Sequence, residues 1–267
     1  MTYIETSEGR LYAESVGEGP AVLLIPGLGG RAAFWSQQIA PFAEHFRVIT
    51  HDHRGAGRSD RPAITYSVQQ MAKDVLYLMD SLGIDKAHAV GHSTGGAVVQ
   101  QLALDTPDRL DRIVLSASWA GPTSFFKALF ALRKRILVEL GPEAYLLDGI
   151  LRAHPAGHVA KNWAQIETTA ADRLKAFAGL DIEGRRIAAV VAHDLRDRIP
   201  EIRHQALVVC AEDDQITPIS FSRELAERVP NAKLATIDFG GHFCPQVNPE
   251  SYTAEVLSFL RHGHDET

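Results

Sequence analysis

The chain has 267 residues, with 27 Lys and Arg against 33 Asp and Glu, for a formal net charge of −6. With 45% hydrophobic and 22% charged residues it has material for one large domain or two small ones around a substantial core, which excludes intrinsic disorder. The acidic balance argues against nucleic acid; no apolar run reaches the length of about 18 residues that a membrane helix needs; and two cysteines, Cys210 and Cys244, give no disulfide framework and point to a reducing, cytoplasmic setting.

The opening MTYIETSEGRLYAE has no basic segment followed by an apolar run, so no signal peptide is expected. Leu11–Val16 suits an antiparallel edge hairpin. Short apolar runs then recur at Ala21–Ile25, Phe46–Thr50, Ala87–Val90, Ile113–Ala117, Ala206–Ala211 and Leu234–Ile237, each reading as a buried strand. Val68, Met71, Val75, Leu78 and Leu82 keep helical spacing between two of them, as do Tyr252, Val256, Phe259 and Leu260 near the end. Strand, helix, strand at this rhythm predicts an α/β fold, a mostly parallel sheet with helices on both faces.

One connection breaks the rhythm. Trp119 to Gln205 holds no convincing strand and far exceeds a simple crossover. Its apolar positions are helical: Phe125, Leu129 and Leu132, then Ile136, Val138 and Leu140, then Trp163 to Leu180. The expectation is a helical lid over residues 122–186, inserted into a core of residues 1–121 and 187–267. The basic triplet Arg133-Lys134-Arg135 reads as a solvated helix face, although Arg133 and Arg135 are also candidates for a substrate carboxylate.

Gly91-His92-Ser93-Thr94-Gly95 fits G-x-S-x-G between the strand Ala87–Val90 and a following helix. A turn that sharp strains the serine backbone, and the flanking glycines remove the side chains that would clash. The helix N-terminus beneath supplies N–H groups for a developing oxyanion. A serine hydroxyl needs a base. Of twelve histidines, His242 stands out: it follows a strand and the pair Gly240-Gly241 and precedes the last helix. The orienting acid is expected after Ala206–Ala211, where Glu212, Asp213 and Asp214 lie together. Thr217 is expected to cap the next helix, with Pro218 as its first residue.

These segments resemble the α/β-hydrolase fold family. The matching pieces are Pro26-Gly27-Leu28-Gly29-Gly30, the Asp52-to-Ser59 segment DHRGAGRS, the Ser93 elbow, Asp214-Gln215-Ile216-Thr217-Pro218 and Gly240-Gly241-His242. The resemblance implies an eight-stranded sheet whose second strand is antiparallel, and an oxyanion hole from the backbone N–H groups of Leu28 and Thr94. It also implies Asp214 as the acid, since the family places that residue four before a helix-opening proline. Pro26 departs from the pattern, where many members carry His. Within the family the chain is similar to small bacterial catabolic hydrolases, among them aminoacrylate hydrolases of pyrimidine degradation and 3-oxoadipate enol-lactonases. The implied activity is serine hydrolysis of a small acyl substrate, an ester or enol-lactone, with no cofactor and no metal. The lid aromatics Trp119, Phe125, Phe126, Tyr145 and Trp163 are candidates to line an apolar pocket, and Trp119, Phe125 and Trp163 are the candidate substrate-binding residues among them. A homodimer is left open as the one protein partner, and a non-catalytic binding protein on the same fold is the contrasting class.

Three rival signals are weaker. Gly27 to Ala32 matches G-x-G-x-x-A after a strand, with Asp52 in place for a ribose, which is a dinucleotide fingerprint. His51-Asp52-His53 is half a metal site without a second half. Cys244 sits two residues from His242 and reads as a small packing residue rather than a reactive thiol.

Overall fold

The structure, a computed structural model, describes residues 1–264. Eight strands run β1 (Thr2–Thr6), β2 (Gly9–Val16), β3 (Ala21–Ile25), β4 (Arg47–His51), β5 (Ala87–His92), β6 (Leu110–Ser116), β7 (Ala206–Ala211) and β8 (Ala232–Ile237). They form one sheet in the order β1-β2-β4-β3-β5-β6-β7-β8. β2 is antiparallel to both neighbours, and every pair from β4 onward is parallel. The expected architecture therefore holds. β1 escapes sequence reading because only Ile4 of its five residues is buried, which leaves no alternation to detect.

Central strands are apolar at successive positions because both faces are covered. In β3, Leu23 and Ile25 face the helices α2 (Val68–Ser81) and α3 (Thr94–Asp105). Val22 and Leu24 face the opposite layer, α1 (Ser36–Ala43) and the C-terminal helix Pro249–His262, through Phe42, Tyr252, Val256 and Phe259. Ser67 caps α2, its hydroxyl accepting from the Gln70 N–H at 3.0 Å.

The long connection after β6 is four helices: α4 (Ser124–Glu139), α5 (Gly141–Ala153), α6 (Ala156–Lys175) and α7 (Leu180–Ala192). The segment ends later than the expected residue 186, because α7 is continuous through that point and packs on α4. After β7 come α8 (Ile219–Arg228), a single turn α9 (Cys244–Val247) and α10, the C-terminal helix already named. Among the described residues no helix is long and apolar enough to cross a membrane.

Two buried histidines give the fold an acid limit. His51 and His193 are 2% and 3% exposed, and burial lowers each from 6.5 to about 4. Unfolding frees both imidazoles to take up a proton near pH 6.5, whereas the folded chain resists until about pH 4. Their contribution is intact above pH 6.5 and is lost as the pH falls through that window. The thermal midpoint should drop between pH 6.5 and 4, with proton uptake on unfolding measurable by calorimetry in buffers of different ionisation enthalpy. A midpoint flat across the window would contradict this.

Candidate active site

The carboxyl ends of β3, β5, β7 and β8 point to one edge of the sheet, and the loops leaving them converge there. Ser93 follows β5 in a left-handed backbone conformation, φ 55° and ψ −116°, rare for a residue with a side chain. The neighbouring glycines explain how the turn is held. A Cβ on Gly91 would lie 2.2 Å from the Gly95 carbonyl oxygen, and one on Gly95 would lie 2.1 Å from that of Ile25. The Ser93 N–H donates to the Ser116 carbonyl at 2.7 Å.

His242 reaches the same point from the loop after β8. Its Nε2 lies 3.0 Å from Ser93 Oγ and its Nδ1 lies 2.8 Å from Asp214 Oδ2. All three side chains are at least nine-tenths buried. The carboxylate holds the imidazole proton on Nδ1, so Nε2 is free to accept from the serine hydroxyl. Asp214 is itself fixed by the loop after β7: Oδ1 accepts from the N–H groups of Ile216 and Thr217 at 2.8 and 2.9 Å.

The three carboxylates of that loop separate cleanly. Glu212 is exposed. Asp213 turns away from the imidazole and accepts from the N–H groups of Gly240 and Gly241 at 3.0 and 2.8 Å, tying down the loop that carries His242. Only Asp214 meets His242.

Thr217 was expected as a helix cap. Instead α8 starts at Ile219 with Pro218 as the non-helical residue before it, φ −49° and ψ 152°, and the residue preceding a proline is held extended. The Thr217 hydroxyl is thereby released for the site. Its Oγ1 lies 2.9 Å from Asp214 Oδ2, 2.9 Å from the Ala117 carbonyl and 3.2 Å from His242 Nδ1. Sequence reasoning missed this fourth member, since its signal, Thr before Pro, matches an ordinary cap.

A cavity of about 600 Å³ opens over Ser93 and His242, within the range that small-molecule sites occupy. Its floor includes the turn Gly27–Gly30, closed by the Gly30 N–H donating to the Gly27 carbonyl at 2.9 Å. Leu28 occupies the second position of that turn, so its N–H is not spent closing it. Thr94 is the first residue of α3, where N–H groups have no partner within the helix. Arg186, on α7 and 2% exposed, donates from Nη2 to the Leu28 carbonyl and from Nη1 to Glu183 at 3.3 Å. Glu183 in turn accepts from the Tyr145 hydroxyl of α5 at 2.7 Å.

None of the three aromatics expected to bind substrate reaches the cavity wall. Trp119 is fully buried beneath α4, its ring 4.7 Å from that of Phe126 and 5.8 Å from the imidazole of His193. Phe125 is 49% exposed and Trp163 42% exposed. On α4 the wall is Phe130 and Arg133, while Phe126, buried next to the exposed Phe125, packs on Trp119 and Phe221 away from the cavity; a step of one position turns a helix by about 100°. In α6 the wall is built by Asn162, Ile166, Thr169 and Arg173, a helical stripe that Trp163 lies beside. Of the two candidate arginines, Arg133 lines the cavity, whereas Arg135 points outward to Glu139 at 3.1 Å.

Asp52 is 1% exposed and its carboxylate accepts from the Ala32 N–H at 2.7 Å and from Arg58 at 2.9 Å, so it is not available to a ribose. His53 Nε2 donates to the Pro26 carbonyl at 2.8 Å, and among the described residues no cluster of His, Cys, Asp or Glu forms that suits a metal ion. Cys244 is fully buried, and burial pushes its thiol well above its ordinary range.

A family model for the alpha/beta hydrolase fold matches residues 20–249. The chain belongs to the α/β-hydrolase family. It is a hydrolase of that family, and its relatives narrow the neighbourhood. It is 36% identical over 259 residues to a protein of Azorhizobium caulinodans named for carbamate hydrolysis (RutD), covering 97% of this chain and 98% of the relative. Among solved structures, the enol-lactonase of Burkholderia xenovorans LB400 superposes with a TM-score of 0.88 at 28% identity, covering 98% of this chain and all of the other. Est816, an N-acyl homoserine lactone degrading enzyme, superposes with a TM-score of 0.84 at 26% identity, covering 97% of this chain and all of the other.

Proposed function

We propose that this hydrolase cleaves a small carboxylic ester or enol-lactone through an acyl-enzyme, with Ser93 as nucleophile, His242 as base and Asp214 as orienter. The observation that carries the reading is the buried line of contacts from Ser93 Oγ through His242 to Asp214 at 3.0 and 2.8 Å. Ser93 Oγ attacks the carbonyl carbon as its proton passes to His242 Nε2. The carbonyl oxygen takes the electron pair and is held by the N–H groups of Leu28 and Thr94. Collapse breaks the bond to the leaving oxygen, which receives the proton from Nε2. Water, deprotonated by the same imidazole, then attacks the acyl carbon and returns Ser93. Helices α4 to α7 act as the lid that keeps bulk water from the acyl-enzyme.

A second reading, carbamate hydrolysis, is favoured by the name of the relative at 36% identity and would use the same three residues. Both share one test. A fluorophosphonate probe should add to Ser93, located by peptide mass spectrometry, and equal labelling of Ser93→Ala protein would overturn both.

The oxyanion assignment makes a separate prediction. The Thr94 hydroxyl is buried without a hydrogen-bond partner, so only its N–H is used. Thr94→Ala should keep most activity on an aryl ester. A loss of about 10²–10³, the cost of removing one oxyanion donor, would transfer the role to the side chain.

A further inference from the structure

Six charged side chains line the cavity: Arg31, Arg133, Asp172, Arg173, Glu183 and Arg186. Both carboxylates are already engaged. Glu183 takes Arg186 and Tyr145, and Asp172 takes Lys175 at 3.0 Å on the exposed side of α6. Arg186 is spent on Glu183 and the Leu28 carbonyl. Arg133 lies 4.0 Å from Asp148 and over the ring of Tyr145 at 4.7 Å. Arg31 and Arg173 are different. Among the described residues neither has an ion pair or a side-chain hydrogen bond, and Arg173 rests over the ring of Phe243, the residue after His242, at 5.6 Å. Half-buried Arg173 holds its proton less tightly than an ordinary arginine, through partial desolvation and the positive charge of Arg31. Two guanidiniums that line one cavity without an acceptor among the described residues repel each other, and a bound anion relieves that repulsion.

We propose that Arg173 and Arg31 form a carboxylate subsite, so that the acyl group cleaved at Ser93 carries a second, ionised carboxylate at its far end. The proposal rests on the reading of Ser93 as nucleophile and names the substrate class for it. Geometry sets the layout. Phe243 touches both ends, its ring centroid 5.9 Å from that of His242 and 5.6 Å from the Arg173 guanidinium. A carboxylate bound at Arg173 would meet a group other than the Leu28 and Thr94 donors, and so would not compete with the acyl oxygen for them. Arg31 follows the Gly27–Gly30 turn, whereas Arg173 comes from α6. The anion would therefore bridge the sheet-borne turn and the helical segment.

The test compares mono-4-nitrophenyl glutarate with 4-nitrophenyl valerate, acyl chains of equal length that differ in a terminal carboxylate or methyl. The wild-type chain should favour the glutarate ester in kcat/KM by about tenfold or more, the worth of a charge-assisted contact. Arg173→Gln should abolish that preference while changing valerate turnover by less than about threefold. Arg173→Lys, which keeps the charge but not the fork, should restore part of it. In Ser93→Ala protein, glutarate binding followed by calorimetry should disappear when Arg173→Gln is added. A wild-type chain indifferent to the carboxylate, an Arg173→Gln that slows both esters equally, or no glutarate binding would each overturn the subsite. Glutarate binding that depends on Arg173, with neither ester cleaved and Ser93 unlabelled, would keep the subsite and overturn the serine-hydrolase reading instead.

Discussion

Ser93→Ala should lower turnover of an aryl ester by about 10⁶-fold, and adding His242→Ala to it should cost almost nothing more. The second half is the stronger statement. His242 Nε2 lies 3.0 Å from Ser93 Oγ, and the work assigned to it is to take that proton. Without the hydroxyl there is no proton to take. Residues that act as one unit are grossly non-additive, and removal of nucleophile or base alone costs about what removal of all three does. Residual catalysis of about 10³ over water should persist in both variants, from binding and the oxyanion donors. Steady-state kinetics on the two single variants and the double variant give the answer. A double variant slower by the product of the two single losses would mean that Ser93 and His242 act in separate steps.

Asp214→Asn should lose about 10⁴ in turnover, and Asp213→Asn less than about tenfold. The asymmetry comes from what holds each side chain. Asp214 Oδ1 accepts from two backbone N–H groups, so an amide there must keep its oxygen on that side and turn its NH₂ towards His242. An NH₂ facing Nδ1 forces the imidazole proton onto Nε2, which then donates to Ser93 rather than accepting from it. The fold should survive, since the two backbone bonds remain. Among the described residues, Asp213 accepts only from the N–H groups of Gly240 and Gly241, through Oδ1. Asn keeps such an oxygen, so the histidine loop stays tied. Asp213→Ala, which has no acceptor, should cost more than Asp213→Asn. The reverse ranking of the two Asn variants in kcat would move the orienting role to Asp213.

What could be read from the chain follows a physical division. Ser93 and His242 were legible because their local chemistry is severe: a strained turn tolerates only glycine at 91 and 95, and paired glycines mark a loop that must bend. Between Asp213 and Asp214 the residues alone left the choice open, because strand alternation fails once the strand has ended. The resemblance favoured Asp214, and the geometry places that residue against His242. The helical segment was visible as excess length, yet its inward face was not. Phe125 and Phe126, equally apolar, differ by about half in exposure, and only the packing partner of α4 decides which turns in. Thr217 was misread for a related reason: a cap and a buried hydroxyl donor look alike until the direction of the following proline is known.

Arg186 bears on how such enzymes can be rebuilt. It enters from α7 and holds the carbonyl of Leu28, while Glu183 beside it is held by Tyr145 of α5. Helices α5 and α7, which line the cavity, therefore also brace the turn that would stabilise the oxyanion. A chimera that exchanged residues 122–186 for the corresponding stretch of another hydrolase would inherit Ser93, Asp214 and His242 intact, yet it would lose the strut beneath Leu28. Transplanted specificity would arrive with a slackened oxyanion turn unless an arginine were supplied at the same point of the final inserted helix. Recombination between members is thus constrained at a residue that sits outside every catalytic motif.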